Sequence, residues 1–299
     1  MQKSVLVIYY SQSGQLKKIT ETFTQPFKEN GCAIEWLEVQ PKKKFPFPWN
    51  SKQFFDAMPE SVLGIPAEVE TPKLKNEKYD LIIFAYQPWF LSPSIPATSI
   101  LHNTQIKNRI SSTPVITLIG SRNMWITAQE KLKKLLKECN SRLVGNVVLT
   151  DRHNNFVSAV TIQYWMFTAK KDKMWGIFPL PGVSDNDIEN VRSFGELVLP
   201  NLQSNEWDTL QNKLRINKAV EVQTNLMFIE GRASVLFKIW ATVIRKKKNR
   251  ELWLKIFNYY LLFALFIVAP IVLLAYNILI RPFTGGFIRK QKDFYSGVN

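Results

Sequence analysis

The chain has 299 residues, and 46% of them are hydrophobic, which suits a folded protein of one or two domains with a sizeable core. Its 39 lysines and arginines exceed its 24 aspartates and glutamates and give a formal charge of +15, a balance that fits nucleic acid, anionic lipid or a phosphorylated ligand. The two cysteines, Cys32 and Cys139, and the two histidines, His102 and His153, are too few for a zinc cluster of familiar spacing. We therefore expect buried free thiols and no metal site.

The first half of the chain alternates between apolar stretches typical of buried strands and apolar spacings typical of helices. The N-terminal stretch has no long apolar run before a cleavage site, so it indicates the first strand of a cytoplasmic fold and not a signal peptide. The alternation predicts parallel strands with crossover helices, an α/β fold with a doubly wound sheet. Strands are predicted at residues 4–10, 33–39, 80–86, 114–119 and 146–150, and helices at 15–30, 97–109 and 126–139.

Two stretches of the first domain lack this regularity. Residues 41–78 hold many of the prolines, and we expect a long connection with little regular structure there. Residues 151–183 are expected to form an irregular or helical insertion. A last helix is predicted over 184–199, because a serine begins it and two aspartates follow in its first turn. The predicted domain covers residues 1–204.

A small polar loop follows the first predicted strand. In open α/β sheets, ligands bind beyond the carboxyl ends of the strands, where this loop lies. Glycine and hydroxyl residues between a strand and a helix form a phosphate cradle, since backbone N–H groups point inward and the helix N-terminus adds positive potential. Neither the Walker pattern nor G-x-G-x-x-G is present. The candidate phosphate-binding residues are Ser11, Gln12, Ser13, Gly14, Gln15 and Leu16.

This loop resembles the phosphate loop of flavodoxins and flavodoxin-like quinone reductases, which reads [ST]-x-[ST]-G-x-[ST] between a strand and a helix. Residues 11–15 match that pattern, and Leu16 replaces the final hydroxyl residue, which removes one phosphate ligand. The resemblance covers residues 4–150 and extends loosely to the helix at 184–199. It implies FMN as the cofactor and a five-stranded flavodoxin-like sheet in the order 2-1-3-4-5.

Two further loops at the same sheet edge strengthen the resemblance. The family carries an aromatic residue beside the flavin after its third strand, and an isoalloxazine ring needs such a flat apolar wall. Its next loop meets the polar edge of the ring, and an arginine there can stabilise negative charge on a reduced flavin. The matching residues are Gln87, Pro88, Trp89 and Phe90 in the first of these loops, and Gly120, Ser121, Arg122, Asn123 and Trp125 in the second.

The C-terminal part contains a long uncharged segment, residues 256–280. At 1.5 Å per residue it spans roughly 37 Å, enough to cross the ~30 Å core of a bilayer. We predict a transmembrane or membrane-embedded helix, and a re-entrant or in-plane arrangement that bends at Pro270 is the alternative. Residues 205–255 before it are predicted to form an amphipathic basic linker, and residues 281–299 a basic tail.

Ten basic residues lie close to this segment, between 245 and 255 and between 281 and 292. This placement favours anionic membrane lipids as partners and argues against nucleic acid, which needs a basic face with base-reading residues. The larger cluster lies upstream, which places the α/β domain on the cytoplasmic side of the inner (cytoplasmic) membrane. The sequence leaves open whether the protein forms a homodimer.

A flavin at a membrane implies a lipophilic substrate, and three hypotheses follow. The first is an FMN-dependent oxidoreductase; by its domain plan the chain resembles the flavodoxin-type aromatase of bacterial dialkylresorcinol biosynthesis, which oxidises a dialkyl-cyclohexane-1,3-dione. The second is a membrane-anchored NAD(P)H–quinone reductase, with NAD(P)H or another acceptor as redox partner. The third is a flavin-free, non-enzymatic binding or electron-transfer module. Oxidation of the dione needs positioning and a modest base, for which the candidates are His153, Tyr164 and Tyr86.

Overall fold

A computed structural model describes residues 2–298 of the chain and contains a five-stranded parallel sheet. The spatial order of the strands is β2-β1-β3-β4-β5, with Val5 of β1 opposite both Ile34 of β2 and Leu81 of β3. This order confirms the predicted flavodoxin-like doubly wound sheet. The strands are β1 (Ser4–Tyr9), β2 (Ala33–Glu38), β3 (Leu81–Tyr86), β4 (Pro114–Ser121) and β5 (Arg142–Thr150).

Helices cover both faces of the sheet, which is why the central strands are continuous apolar runs. All six residues of β3 are buried, whereas Trp36 in the edge strand β2 is 40% exposed. The helices of the α/β domain are α1 (Gln15–Glu29), α2 (Ser51–Asp56), α3 (Met58–Leu63), α4 (Ile95–His102), α5 (Thr104–Ile110), α6 (Ile126–Glu138), α7 (Asn155–Thr168) and α8 (Asp185–Ser204). They are followed by α9 (Leu210–Ile216), α10 (Thr224–Lys246), α11 (Arg250–Phe283) and α12 (Gly285–Ser296).

Each face of the sheet has its own core. On one face, α1, α8 and α9 pack on alternate residues of the central strands, such as Val5, Val7 and Ile83. On the other face, α4, α5 and α6 pack on the remaining residues, such as Leu6 and Ile82. This division into two cores follows from the two-residue period of a strand, because successive side chains point to opposite faces.

The structure corrects several predicted boundaries. The connection 41–78 contains α2 and α3, and α2 begins at a capping box in which Asn50 accepts from the Gln53 N–H. The single helix predicted over 97–109 is two helices, because Asn103 caps a new start at α5. Strand β5 begins before the predicted residue 146, since Gly145 interrupts the apolar run in the sequence while packing closely on Ile116 and α9.

The predicted linker 205–255 is also largely helical. Helix α9 buries Leu210 and Leu214 against the sheet, and α10 spans 23 residues. Helix α9 does not stand out in the sequence, because its apolar residues are recognisable as a buried face only once the sheet beneath them is assembled. Of the two cysteines, both free thiols, Cys139 is buried as expected and Cys32 is half-buried.

Helix α11 contains the predicted hydrophobic segment 256–280 and extends it at both ends to 34 residues. By length and composition this helix could cross a membrane, and it is the one such helix in the part of the chain described. It continues through Pro270, and the turn at Ala264–Val268 before the proline is a π turn. Because proline lacks an N–H and crowds the carbonyl four residues earlier, a widened turn lets the helix continue.

The contact between α1 and α8 leads to a stability prediction. A Cβ at Gly195 of α8 would lie 2.1 Å from the backbone oxygen of Phe23 in α1, so the Gly195→Ala variant must separate the two helices. We expect it to lower the free energy of unfolding by about 2 kcal/mol or more. Gly231→Ala in α10 is the matched control, since a Cβ there meets nothing within 4 Å. Urea denaturation of both variants provides the measurement, and equal effects would contradict the close approach.

Candidate functional site

The loops predicted to bind a cofactor line one cavity of about 510 Å³ at the carboxyl edge of the sheet. Its volume lies within the range of about 300–1,000 Å³ that is usual for ligand sites. The loops after β1, β3 and β4 therefore converge, as the topology of a parallel sheet requires. The predicted residues that line the cavity are Gln12, Ser13, Gln15, Leu16, Gln87, Pro88, Trp89, Phe90, Gly120, Ser121, Arg122 and Asn123.

Three predicted cofactor residues lie outside this lining. The hydroxyl of Ser11 accepts from the Lys17 N–H at 3.2 Å and so closes the loop on itself. Gly14 has a φ of +83°, a left-handed conformation that glycine adopts without strain, and it caps the start of α1. Trp125 is 2% exposed and packs in the core beneath α6. These three residues shape the site from behind its surface.

None of the three candidate bases lines the cavity. Tyr86 is fully buried, its hydroxyl donates to Gln129 Oε1 at 2.9 Å, and burial raises its pKa well above the usual value. The hydroxyl of Tyr164 donates to Asp172 on the surface. His153 Nδ1 lies 2.7 Å from Asp151 Oδ1 and borders a separate surface pocket. The structure gives no support to these side chains as bases for a molecule in the cavity.

The loop after β1 is fixed by the side-chain amides of two glutamines. Gln12 donates to the Pro46 carbonyl at 2.7 Å. Gln15 accepts from the Val183 N–H and donates to the Val183 carbonyl, so it holds the segment before α8. Ser13, Gln15 and Leu16 line the cavity at the start of α1, where the first N–H groups of a helix have no acceptor within the helix. This arrangement suits an anion.

Leu16, which replaces the last hydroxyl residue of the family pattern, is a core residue. It is 3% exposed, and its Cδ1 would be 3.2 Å from a Cβ placed on Gly120. The leucine thus fills the space between the loops after β1 and β4, and the glycine allows their close approach. The substitution exchanges one polar contact for packing that holds the two loops together.

Aromatic side chains form the walls of the cavity next to these loops. Trp89 packs edge-on against Trp49 with ring centroids 5.5 Å apart, and Phe90 lies 4.7 Å from Phe54. Of the aromatic residues that line the cavity, sequence reasoning assigned only Trp89 and Phe90 to the site. A signal for the others was present, because five of the eleven residues from 45 to 55 are aromatic. The lining residues it missed here include Phe47, Trp49, Phe54, Phe55, Trp165, Met166 and Phe167.

The loop after β4 brings a positive charge and a free acceptor to the cavity. Arg122 Nη1 donates to the carbonyl and the side-chain oxygen of Asn155 at 2.9 and 3.1 Å, and burial lowers its pKa to about 10, so it stays charged at neutral pH. Asn123 Nδ2 donates to the same side-chain oxygen at 2.7 Å. The Asn123 Oδ1 atom is buried without a hydrogen-bond partner, so a ligand N–H would satisfy it.

The far wall of the cavity comes from α10 and α11, which sequence analysis placed in a linker and a membrane segment. This wall is almost entirely apolar, in contrast to the polar loops opposite. Nothing local in the sequence of these helices points to a cavity. Their lining residues are Ile229, Ala233, Leu236, Phe237, Asn258, Tyr260, Leu261, Leu262, Ala264, Leu265 and Ala269.

A buried carboxyl group connects α10 to the polar side of the site. Glu230 is 1% exposed, and its Oε1 accepts from the Thr127 N–H at 2.7 Å, in the first turn of α6 directly after the loop of Arg122 and Asn123. Its Oε2 has no hydrogen-bond partner. Burial raises the pKa of Glu230 to about 7, although the N–H groups at the start of α6 favour its ionised form.

Comparison with known proteins identifies no family model and no curated protein that matches the chain. Among solved structures, a flavoprotein in complex with FMN from Lactobacillus acidophilus is 20% identical, with a TM-score of 0.41, and covers 50% of this chain and 93% of its own. A flavodoxin from the domain Archaea is 9% identical, with a TM-score of 0.37, and covers 68% and 99%. Because these TM-scores lie below 0.5, the fold assignment rests on the observed strand order, and these likenesses carry no argument about function.

The raised pKa of Glu230 predicts a pH-dependent stability. Between about 4.5, its ordinary pKa, and 7, the folded chain keeps a proton that the unfolded chain has lost, so stability falls as the pH rises through this window. The contribution is at most about 1.4 kcal/mol per pH unit. Glu230→Gln should flatten the dependence of the unfolding free energy between pH 5 and 7, measured by urea denaturation. An unchanged slope would show that Glu230 does not titrate there.

Proposed function

We propose that this chain is a membrane-associated, FMN-dependent oxidoreductase that acts on a lipophilic small molecule. The observation that carries the proposal is the single cavity, which joins the three polar strand-end loops to the apolar wall of α10 and α11. A cofactor with an anionic tail and a flat ring suits the polar side. An apolar substrate suits the other side, where it would meet that ring.

The residues present fit FMN. The start of α1 and Ser13 would hold the phosphate, and the aromatic walls at Trp89 and Phe90 would enclose the ring. The unpartnered Asn123 Oδ1 would accept from a ring N–H, and the charge of Arg122 would favour a reduced, anionic ring. FMN, when bound, supplies an acceptor for two electrons and a proton. The chain itself binds and orients both molecules and excludes water.

The finer form of the proposal is oxidation of a dialkyl-cyclohexane-1,3-dione to a dialkylresorcinol. This reaction removes two hydrogens from the ring, one as a hydride and one as a proton, and forms the aromatic double bond. The ring protons of a 1,3-dione are already acidic, so a strong base is not needed and positioning matters most. Two alkyl chains would occupy the apolar wall of the cavity. Support comes from the domain plan and from that wall.

Membrane association is proposed from α11 and its flanking charges. Only 6% of the 18-residue apolar stretch of this helix is buried inside the protein. An exposed apolar surface of this size is unfavourable in water and indicates an interaction site for a protein or a membrane. The basic residues at 245–248 and 289–292 would meet anionic headgroups, each contributing about 1 kcal/mol near the surface. We propose the cytoplasmic membrane, with the α/β domain on the cytoplasmic side.

Cofactor binding is tested at the phosphate loop with two isosteric variants. Ser13→Asp places a negative charge where the phosphate would lie, so we expect FMN affinity to fall at least tenfold, a loss of about 1.4 kcal/mol. Riboflavin lacks the phosphate, and its affinity should change less than about threefold. Ser13→Asn is the neutral control and should leave both affinities nearly unchanged. Fluorescence titration measures all four, and equal weakening of both flavins by Ser13→Asp would contradict the assignment.

The reaction is tested on the purified chain in anionic vesicles with FMN, without oxygen. Loss of flavin absorbance on adding a long-chain dialkyl-cyclohexanedione, with an equimolar amount of resorcinol, supports the aromatase. Bleaching by NAD(P)H followed by reoxidation with a long-chain quinone supports the quinone reductase. A chain that binds no flavin would be the non-enzymatic module, and the proposal would be wrong.

The same assay tests the apolar wall with a matched pair on α11. Leu265 lines the cavity, whereas Ile271 is 64% exposed on the outer side of the helix. Leu265→Trp should exclude at least two methylene groups of the substrate and lower kcat/KM for long-chain substrates roughly tenfold. The rate with a short-chain homologue and the FMN affinity should not change. Ile271→Trp should have no such effect, and equal behaviour of the two variants would contradict a chain-binding wall.

A further inference from the structure

Helix α11 is attached to the α/β domain at its start. Arg250 Nε donates to Asp56 Oδ1 of α2 at 2.8 Å, and its guanidinium also pairs with Glu60 of α3. Two turns later, the ring of Phe257 lies 6.2 Å from that of Phe55, in a core where it is fully buried. The first part of α11 therefore lies against α2 and α3.

The middle and the second half of α11 contact other helices, α7 and α10. Phe266 stacks on Phe156 in the first turn of α7, with centroids 6.0 Å apart. Tyr276 stacks on Phe228 of α10 at 3.7 Å. Helix α10 is itself seated on the domain at this end, because Met227 belongs to the core above the sheet. Contacts with the α/β domain or with α10 therefore occur at the start, in the middle and in the last turns of α11.

Helix α12 then returns to the same domain. Ile288 packs against the sheet core on the face covered by α6. Gln211 of α9 donates to the Ser296 carbonyl at 2.6 Å, and Arg215 of α9 pairs with Asp293. Residues after α11 are therefore bound to the domain that also holds its beginning.

A membrane-spanning orientation conflicts with this packing. A helix of 34 residues is about 50 Å long and would put its two ends on opposite sides of a bilayer whose apolar core is ~30 Å thick. Both ends of α11 contact one domain, so spanning would place polar parts of that domain in lipid. Next to Phe156, for example, Asn155 bonds to Arg122 and Asn123.

The two sides of α11 have different neighbours. One side faces the cavity, at positions three or four residues apart that include Asn258, Leu261, Leu265 and Ala269. The opposite side points away from the domain with the same spacing. Its exposed residues, each between 51% and 64% exposed, are Tyr259, Phe263, Ile267, Ile271, Leu274 and Ile278.

We infer that α11 lies in the plane of the membrane, with its outer side in one leaflet, and that the protein binds the bilayer from one side only. The inference rests on the membrane association proposed above. In this orientation both basic clusters, at 245–248 and 289–292, face headgroups of the same leaflet. The occurrence of positive charge on both sides of the apolar segment, which is unusual for a spanning helix, then has a physical reason.

The orientation also determines the route of the substrate. Since the inner side of α11 is a wall of the cavity and its outer side lies in lipid, a single helix separates the site from the leaflet. A lipophilic molecule would pass beside α11 without crossing water. A spanning helix would not keep the cavity next to one leaflet along the length of α11.

Impermeant maleimide labelling distinguishes the orientations in the full-length chain. Lys248→Cys and Lys290→Cys report the two ends of α11, and Lys28→Cys on α1 reports the side of the α/β domain; all three residues are exposed. The background is Cys32→Ser, and Cys139 stays because it is buried. In right-side-out and inverted membrane vesicles, we expect all three sites to react from the same side.

Labelling of residues 248 and 290 from opposite sides would overturn the in-plane inference and leave membrane association intact. A chain that does not bind anionic vesicles would overturn both. Depth measurement with spin labels at Phe263→Cys, Ile271→Cys and Ile278→Cys gives an independent result. We expect one shared depth of about 5–10 Å below the headgroup boundary. A depth that changes along the three positions would support a spanning helix instead.

Discussion

The parallel pairing of β1 with β3 and of β3 with β4 is the constraint on which the site depends. It brings the carboxyl ends of three strands to one edge, so loops that are far apart in sequence meet around one cavity. The contact between Leu16 and Gly120 holds two of these loops together. The sheet thus brings the polar half of the site together, and contacts with other segments, such as that of Arg122 with Asn155, fix its side chains.

The apolar half depends on a different interaction, the seating of α10 on the domain. Glu230 accepts from the Thr127 N–H at the start of α6, so one buried carboxyl group connects the far wall to the loop of Arg122 and Asn123. Because a buried carboxyl group is costly unless it finds donors, this contact specifies the register of α10 against α6. Helix α11 packs on α10, and these two consecutive helices together close the cavity.

Local patterns in the sequence predict the sheet, its main helices and the polar loops, because a strand next to a loop next to a helix is encoded by neighbouring residues. The aromatic walls depend on contacts between distant segments, such as Trp49 with Trp89, so the aromatic residues between 45 and 55 show in the sequence but their place in the site does not. No local pattern encodes the far wall. The start of β5 was hidden by Gly145, whose missing side chain serves packing on α9. The candidate bases were chosen by residue type, and side-chain direction then placed Tyr86 in the core.

One end of the cavity is polar and the other is apolar, and water and lipid differ in the same way at a membrane surface. The loop after β1 and Arg122 lie on the side of the sheet, and the apolar wall is formed by α10 and α11. A molecule with a polar ring and alkyl chains would take the same orientation in the cavity as in a leaflet, so little reorientation separates the lipid from the site. The proposed in-plane helix would preserve this alignment, because it would keep the apolar end of the cavity next to lipid along the whole wall. A helix that crossed the bilayer would turn the wall away from the leaflet and lose the match.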